Sequence, residues 1–318
     1  MNRKIIRIAC LGAPSDYRTS LLPLIIQGLG YKIEWTTPIR ADVVIYSSFY
    51  DLNAPRLRWL PRSWRKTVGA YFTALERGLA KRRIPPMTLF HTAENLRHDH
   101  IQADYSVSHD LNIQSSRHFR LPYWMEMIDW SHEGVVGNSN PRYGGLLSLK
   151  RLREPLGDQF LKRSQKAVLI SSHMREPRAT CYAALKALMP VEGMGSYFDD
   201  SIQNHHKSNF LKKDILINYA YNLCPENGIY PGYVTEKIPE AFAAGCLPIT
   251  MVDPSVEIDF NPHAFLNLYP NSAKLSLNYF SENEEVLQAF ADEPLIREEK
   301  NIFPLVSFLK SLVADATN

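Results

Sequence analysis

Glu236 and Lys237 stand side by side in Y-V-T-E-K-I (residues 233–238), just after a loop built from Pro225, Asn227, Gly228, Pro231 and Gly232. A lysine in the first turn of a helix, beside backbone N–H groups that have no partner, is suited to holding a phosphate. A carboxylate would repel that phosphate, so Glu236 fits best if the same ligand also brings hydroxyl groups, as a sugar attached to a phosphate does. The plain alternative is a glutamate that complements the helix dipole next to a solvated lysine. Arg175 and Arg178 lie at the mouth of another strand-to-helix junction, S-S-H-M-R-E-P-R. A guanidinium pairs with phosphate through two parallel hydrogen bonds, although two solvated arginines account for the same pattern. Glu94 follows the run M-T-L-F-H (residues 87–91). A carboxylate just past a strand's carboxyl end can accept the proton of a sugar hydroxyl, and it can equally be a surface residue. His98 and His100, with His91 and His109 nearby, have a spacing that permits metal ligation, since residues two apart share a strand face. No histidine–carboxylate helix motif accompanies them, and the reading kept is of solvated or acceptor-facing imidazoles with no metal.

The elements that must carry these residues are legible from periodicity. Residues 3–11 alternate basic and apolar before G-A-P-S-D, residues 20–29 are apolar at helical spacing, and residues 32–36 and 41–47 read as strands. Strand, helix, strand in this order predicts a doubly wound α/β domain. No G-x-G-x-x-G follows the first strand, which argues against a nicotinamide dehydrogenase. Residues 166–170 predict a strand feeding a helix that begins at Pro177, a favoured first-turn residue. Residues 215–223 and 246–252 predict two buried strands around a short helix that Gly245 ends. Residues 282–290 and 304–314 predict amphipathic helices, the last of them returning to the first domain. The aromatic run 119–130 reads as core, and the interdomain passage is expected near Glu154, giving domains 1–154 and 155–318.

Composition narrows the function classes. A chain of 318 residues exceeds what one core usually supports, which predicts two domains. A net charge of +3, with no zinc-finger spacing, gives no case for nucleic acid as a partner. Charge is nevertheless uneven. Arg56, Arg58, Arg62, Arg65, Lys66, Arg77, Lys81, Arg82 and Arg83 fall within 28 residues that hold one acid, Glu76, with Trp59, Trp64, Tyr71 and Phe72 among them. Two readings stand, a solvated helix face and a peripheral contact with an anionic membrane. Cys10, Cys181, Cys224 and Cys246 are scattered without a C-x-x-C and are expected as small buried hydrophobes in a reducing compartment. No apolar run is long enough to cross a bilayer, and the segment 5–13 is short and interrupted by Arg7, which predicts a cytoplasmic chain, at most peripheral on the inner face of the membrane.

Y-V-T-E-K-I, preceded by C-P-E-N (residues 224–227) and followed by D-F-N-P (residues 259–262), resembles the donor-binding motif of the α1,3/4-fucosyltransferases, glycosyltransferase family ten, especially their bacterial members. F-H-T-A-E-N, followed by A-D-Y-S-V-S-H-D, resembles the family's loop that carries its proposed base, with Glu94 at the matching position. The resemblance implies a GT-B architecture of two Rossmann-like domains facing across a cleft. It implies inverting transfer of L-fucose from GDP-fucose to an N-acetylglucosamine or glucose hydroxyl of an oligosaccharide acceptor. A surface glycan such as a lipopolysaccharide O-antigen, carrying Lewis-type structures, is the expected setting. In that pattern Glu94 deprotonates the acceptor, and Glu236 holds the fucose and stabilises positive charge at its anomeric carbon. Arg178 and Lys237 carry the diphosphate. Glu226, Asn227, Tyr233, Val234 and Thr235, together with Gly193 of the turn V-E-G-M-G-S, surround the nucleotide or sugar. GDP-fucose is then a co-substrate, no cofactor is obligatory and no divalent metal is required. A GT-B transferase of another nucleotide sugar and a non-catalytic glycan- or nucleotide-binding protein are the rival expectations.

Overall fold

The computed structural model describes residues 4–50, 85–198, 211–269 and 284–317. The basic segment from Arg56 to Arg83 lies outside them. The chain divides into two units: unit 1 comprises residues 1–121, 130–138 and 301–318, and unit 2 comprises 122–129 and 139–300.

Unit 1 contains, among the described residues, a six-stranded parallel sheet in the order β2-β1-β3-β4-β5-β6. The strands are β1 (Lys4–Leu11), β2 (Tyr31–Trp35), β3 (Val43–Ser47), β4 (Met87–His91), β5 (Tyr105–Ser108) and β6 (His118–Arg120). Every residue of β3 is buried, which explains its unbroken apolar run: a central parallel strand has no solvent face. Helix α1 (Leu21–Gly28) buries Leu21, Leu22, Ile25 and Ile26, a stripe that repeats every four residues. The C-terminal helix, numbered α7 (Phe303–Thr317), belongs to unit 1 and packs beside α1. Its Phe308 ring meets those of Tyr105 and Phe119 at 5.5 and 5.4 Å, and its Asp315 accepts a hydrogen bond from the Tyr105 hydroxyl at 2.7 Å.

Unit 2 repeats the plan. Its five strands, β7 (Ser164–Ile170), β8 (Val191–Met194), β9 (Tyr219–Leu223), β10 (Leu247–Thr250) and β11 (Leu266–Asn267), pair in parallel in the order β11-β10-β9-β7-β8. Its helices are α2 (Leu149–Arg153), α3 (Arg178–Lys186), α4 (Lys212–Leu216), α5 (Lys237–Ala243) and α6 (Glu284–Ala291). Counting strands within each unit, the unit 2 sheet runs 2-1-3-4-5 and the unit 1 sheet the same with a sixth strand added, the doubly wound order in which ligands bind where the chain reverses direction, between the first and third strands.

Two expectations differ from what is observed. Unit 1 first breaks off at Leu121, well before the passage expected near Glu154. The cause is backbone pairing that ties residues 127–129 to Leu147: the Leu147 N–H donates to Met127 O at 2.8 Å and the Asp129 N–H to Leu147 O at 2.9 Å. The glycine-bearing turn at residues 191–196 begins as the edge strand β8, with Ala167 opposite Val191 and Ile170 opposite Met194. Two glycines hide that strand from propensity, since glycine has no side chain to pack on a pleated surface.

Candidate active site

Unit 2 gathers its charged residues at its reversal point, past the carboxyl ends of β7 and β9. Ser171 follows β7 directly, and Arg178 is the first residue of α3. Arg178 is only 6% exposed, and three neighbours hold its guanidinium. Its Nη1 donates to Ser171 Oγ at 2.8 Å and to the His173 carbonyl at 3.0 Å, and lies 3.2 Å from the His173 ring nitrogens. Its Nη2 donates to Asn227 Oδ1 at 2.8 Å, which links the loop after β7 to the loop after β9. Burial and the charges of Arg178, Arg175 and Lys237 push the His173 pKa down, so the ring remains neutral beside the guanidinium.

The loop between β9 and α5 is organised around Glu226, which is fully buried. Its Oε1 accepts from the Thr235 N–H and hydroxyl, both at 2.8 Å, and its Oε2 accepts from Lys237 Nζ at 2.7 Å. Lys237 Nζ also donates to Thr235 Oγ1 at 2.7 Å. Burial disfavours the Lys237 ammonium, but the Glu226 and Glu236 carboxylates outweigh that and hold its pKa above the usual value. Tyr233 and Val234 of this loop are buried, and Gly232, at φ +80°, donates its N–H to Ser255 Oγ at 2.8 Å. Glu236 caps α5 and is half-buried. Its burial favours the neutral acid, while Lys237 and Lys212 oppose this and hold its pKa below the ordinary glutamate value.

A second buried ion pair lies one helical turn behind Glu236. Glu240, 2% exposed, accepts from Lys212 Nζ at 2.6 Å and from Asn140 Nδ2 at 2.8 Å. Sequence reading missed this pair. The spacing of Glu236 and Glu240 was visible, but Lys212, at the start of α4, and Asn140, in a loop, are distant in sequence and nothing local announces them.

Gly193 has a packing reason of its own. A Cβ there would sit 2.3 Å from the Phe198 ring, which is flanked by Tyr182 and Tyr197 at 5.6 and 5.1 Å. The cysteines are free thiols, and burial pushes Cys246 up to about 12, which leaves it unreactive.

Glu94 lies in unit 1, in the loop after β4. Its N–H donates to Thr92 Oγ1 at 3.1 Å, and Thr92 Oγ1 lies 2.9 Å from Ser48 Oγ in the loop after β3. The same loop is braced by buried Asp110, which accepts from Arg97 Nη1 at 3.1 Å, from Ser108 Oγ at 2.9 Å and from the His98 N–H. The histidines take separate partners: His91 Nδ1 meets the Tyr17 hydroxyl at 2.9 Å, and His98 stands edge-on to His118 at 5.3 Å. Among the described residues, no group of three or more histidine, cysteine, aspartate or glutamate side chains is arranged to hold a metal.

Residues 160–291, which include the Arg178, Glu226 and Lys237 cluster, match the family model described as glycosyltransferase family 10 (fucosyltransferase), C-terminal. The likeness is to glycosyltransferase family 10. It is the family that residues 224–238 resemble, and the cluster falls inside the matched segment. An α-(1,3)-fucosyltransferase, FucT, of Helicobacter pylori is 30% identical over 197 residues, which cover 57% of this chain and 40% of that protein. The chain thus spans well under half the length of that family 10 relative. Crystal structures of an α1,3-fucosyltransferase, one free and one with GDP-fucose, align over 98% of this chain and 91% of theirs. Their TM-scores are 0.68 and 0.65, at 22% and 21% identity, so the shared feature is the α/β fold with its two parallel sheets, the GT-B class expected.

Proposed function

We propose that the protein is an inverting α1,3-fucosyltransferase that moves L-fucose from GDP-fucose to a hydroxyl of an N-acetylglucosamine- or glucose-containing oligosaccharide. The observation that carries this reading is the pair of hydrogen-bonded groups, Arg178 with Asn227 and Glu226 with Thr235 and Lys237, at the reversal point of the unit 2 sheet.

Arg178 and Lys237 receive the diphosphate. Glu226 spends both oxygens inside the protein, so it acts by aiming Lys237 and Thr235 and by keeping the lysine charged. Asn227, Tyr233 and Val234 border the nucleotide or sugar, and Gly193 belongs to the β8 wall. Glu236 holds fucose hydroxyls and stabilises the positive character that develops at the anomeric carbon. Glu94 is the general base. In the step, the acceptor oxygen forms a bond to the anomeric carbon from the face opposite the diphosphate. The bond from that carbon to the β-phosphate oxygen breaks, and GDP leaves with the electron pair. The acceptor proton passes to the Glu94 carboxylate. The two cations meet the charge on the departing diphosphate, so the reading requires no divalent metal.

The acceptor is assigned to a surface glycan of the lipopolysaccharide O-antigen type, carrying Lewis-type structures. The chain is assigned to the cytoplasm, with the basic segment around Arg56 and Arg83 touching the anionic inner face of the membrane. Among the described residues no helix is long and apolar enough to cross a membrane. The test is a transfer assay with GDP-fucose, GDP-mannose and UDP-galactose on N-acetyllactosamine, with and without a chelator. Fucose transfer alone, undiminished by the chelator, supports the reading. Transfer from another donor, or none, contradicts it.

A further inference from the structure

Behind Glu236 the protein builds something that a simple anion site does not need. Glu236 and Glu240 are four residues apart on α5, with the Glu240 N–H donating to Glu236 O at 2.9 Å, so their side chains leave the same face of the helix. Glu240 has no outlet to solvent, and both its oxygens are occupied, one by Lys212 and the other by Asn140.

The partners are themselves fixed. Asn140 accepts the Tyr143 N–H on Oδ1 at 3.3 Å, and its carbonyl accepts the N–H groups of Gly144 and Gly145 at 3.1 and 3.0 Å. The Lys212 N–H donates to Arg142 O at 2.9 Å, and the Lys213 N–H to Tyr143 O at 3.2 Å. Gly144 takes φ +109° where a Cβ would come within 2.8 Å of the Leu211 side chain, so this loop and the start of α4 meet closely around the lysine. An ion pair buried in this way adds little stability over apolar residues of the same volume, because desolvating both charges offsets their attraction. Its retention beside a working carboxylate calls for a reason other than stability.

We propose that Lys212, held through Glu240 and Asn140, is a positioning residue that keeps Glu236 ionised for the sugar of the donor. The proposal rests on the reading of Glu236 as the carboxylate that meets fucose. The groups facing Glu236 come from several elements: Lys237 and Glu240 on α5, Lys212 on α4, Arg178 on α3, and Tyr123 ahead of the unit 2 sheet. Lys237 is shared with Glu226, and Arg178 with Asn227 and Ser171. Lys212 is therefore the cation that balances the second carboxylate on this helix face. Without it, Glu236 loses a nearby positive charge and two glutamates one turn apart are left with Lys237 alone to favour their ionised forms. The directions agree. Burial pushes Glu240 up with Glu236 adding to it, and burial together with Glu236 keeps the Tyr123 phenol protonated.

The test is calorimetric titration of the full chain with GDP and with GDP-fucose from roughly pH 3 to 8, a window that reaches below the ordinary glutamate pKa. The quantity read is the ratio of the two affinities, with GDP affinity as the control for an intact fold. Ionised Glu236 favours GDP-fucose, so the ratio falls as pH drops through the Glu236 pKa. Lys212→Met raises that pKa and moves the midpoint up by about one pH unit or more. Lys212→Arg leaves it near the wild-type position. Glu240→Gln keeps the shape and one of the two accepted hydrogen bonds but removes the negative charge, so the midpoint moves down. A purely structural role would shift neither, or shift both the same way, and either result overturns the proposal. Should Lys212→Met fail to fold, the downward shift in Glu240→Gln decides alone. If the wild-type protein binds GDP but gains nothing from fucose, or does not bind GDP at all, the functional reading falls instead, and the proposal with it.

Discussion

The two sheets share a strand order but use their reversal points differently. In unit 2 the loops after β7 and β9 stand apart enough for Ser171, Arg178, Asn227, Glu226 and Lys237 to meet there through hydrogen bonds of 2.7 to 2.8 Å. In unit 1 the corresponding loops, after β1 and β3, are in backbone contact: Gly12, at φ +73°, lies so close to Tyr50 that a Cβ would fall 2.1 Å from the Tyr50 N. That contact brings the two loops together, and the polar loop of unit 1 forms one strand further on, after β4, where Glu94 lies. One topology thus offers the same crevice twice. A close backbone approach at Gly12 fills the copy in unit 1, and charged side chains line the copy in unit 2.

Three substitutions break or sharpen this contrast, taken from the largest expected effect to the smallest. Lys237→Ala removes a cation from the open crevice, and kcat/KM for fucose transfer falls about 10³-fold, with GDP affinity falling alongside it. Because Glu226 is then buried without its cation, the variant also loses about 3 kcal/mol of stability, so rates are read well below its melting temperature. Glu94→Gln, in the other unit, lowers kcat about 10²-fold while GDP affinity, measured by titration, stays at the wild-type value. If Glu94→Gln weakened GDP as much as Lys237→Ala does, the division of labour between the units would be wrong. Gly12→Ala forces a side chain into the closed crevice at a left-handed backbone position and costs about 2 kcal/mol in chemical denaturation, without changing donor affinity of the folded protein.

Much of this was legible from sequence because the central parallel strands are buried on both faces and read as continuous apolar runs. Residues 41–47, 87–91 and 246–252 contain β3, β4 and β10. The short edge strands β6, β8 and β11 were not, since pairing on one side lets polar residues and glycine into them. Glu226, Thr235 and Lys237 were legible as a local motif, since all three lie within 12 residues. That Glu226 turns inward to the lysine was not, because burial depends on β10 and α5 closing over it. The Lys212, Glu240 and Asn140 contact was invisible for the related reason that its partners lie 28 and 100 residues apart.

The central claim is that the unit 2 reversal point grips the diphosphate of a guanosine nucleotide sugar through Arg178 and Lys237. Calorimetric titration of the wild-type protein with GDP and UDP, repeated on Arg178→Lys, tests it most directly. The account predicts that GDP binds more tightly than UDP and that the substitution weakens GDP about tenfold, since lysine cannot make the forked contact. Equal affinity for the two nucleotides, or an Arg178→Lys protein that binds GDP as well as the wild type, would contradict it.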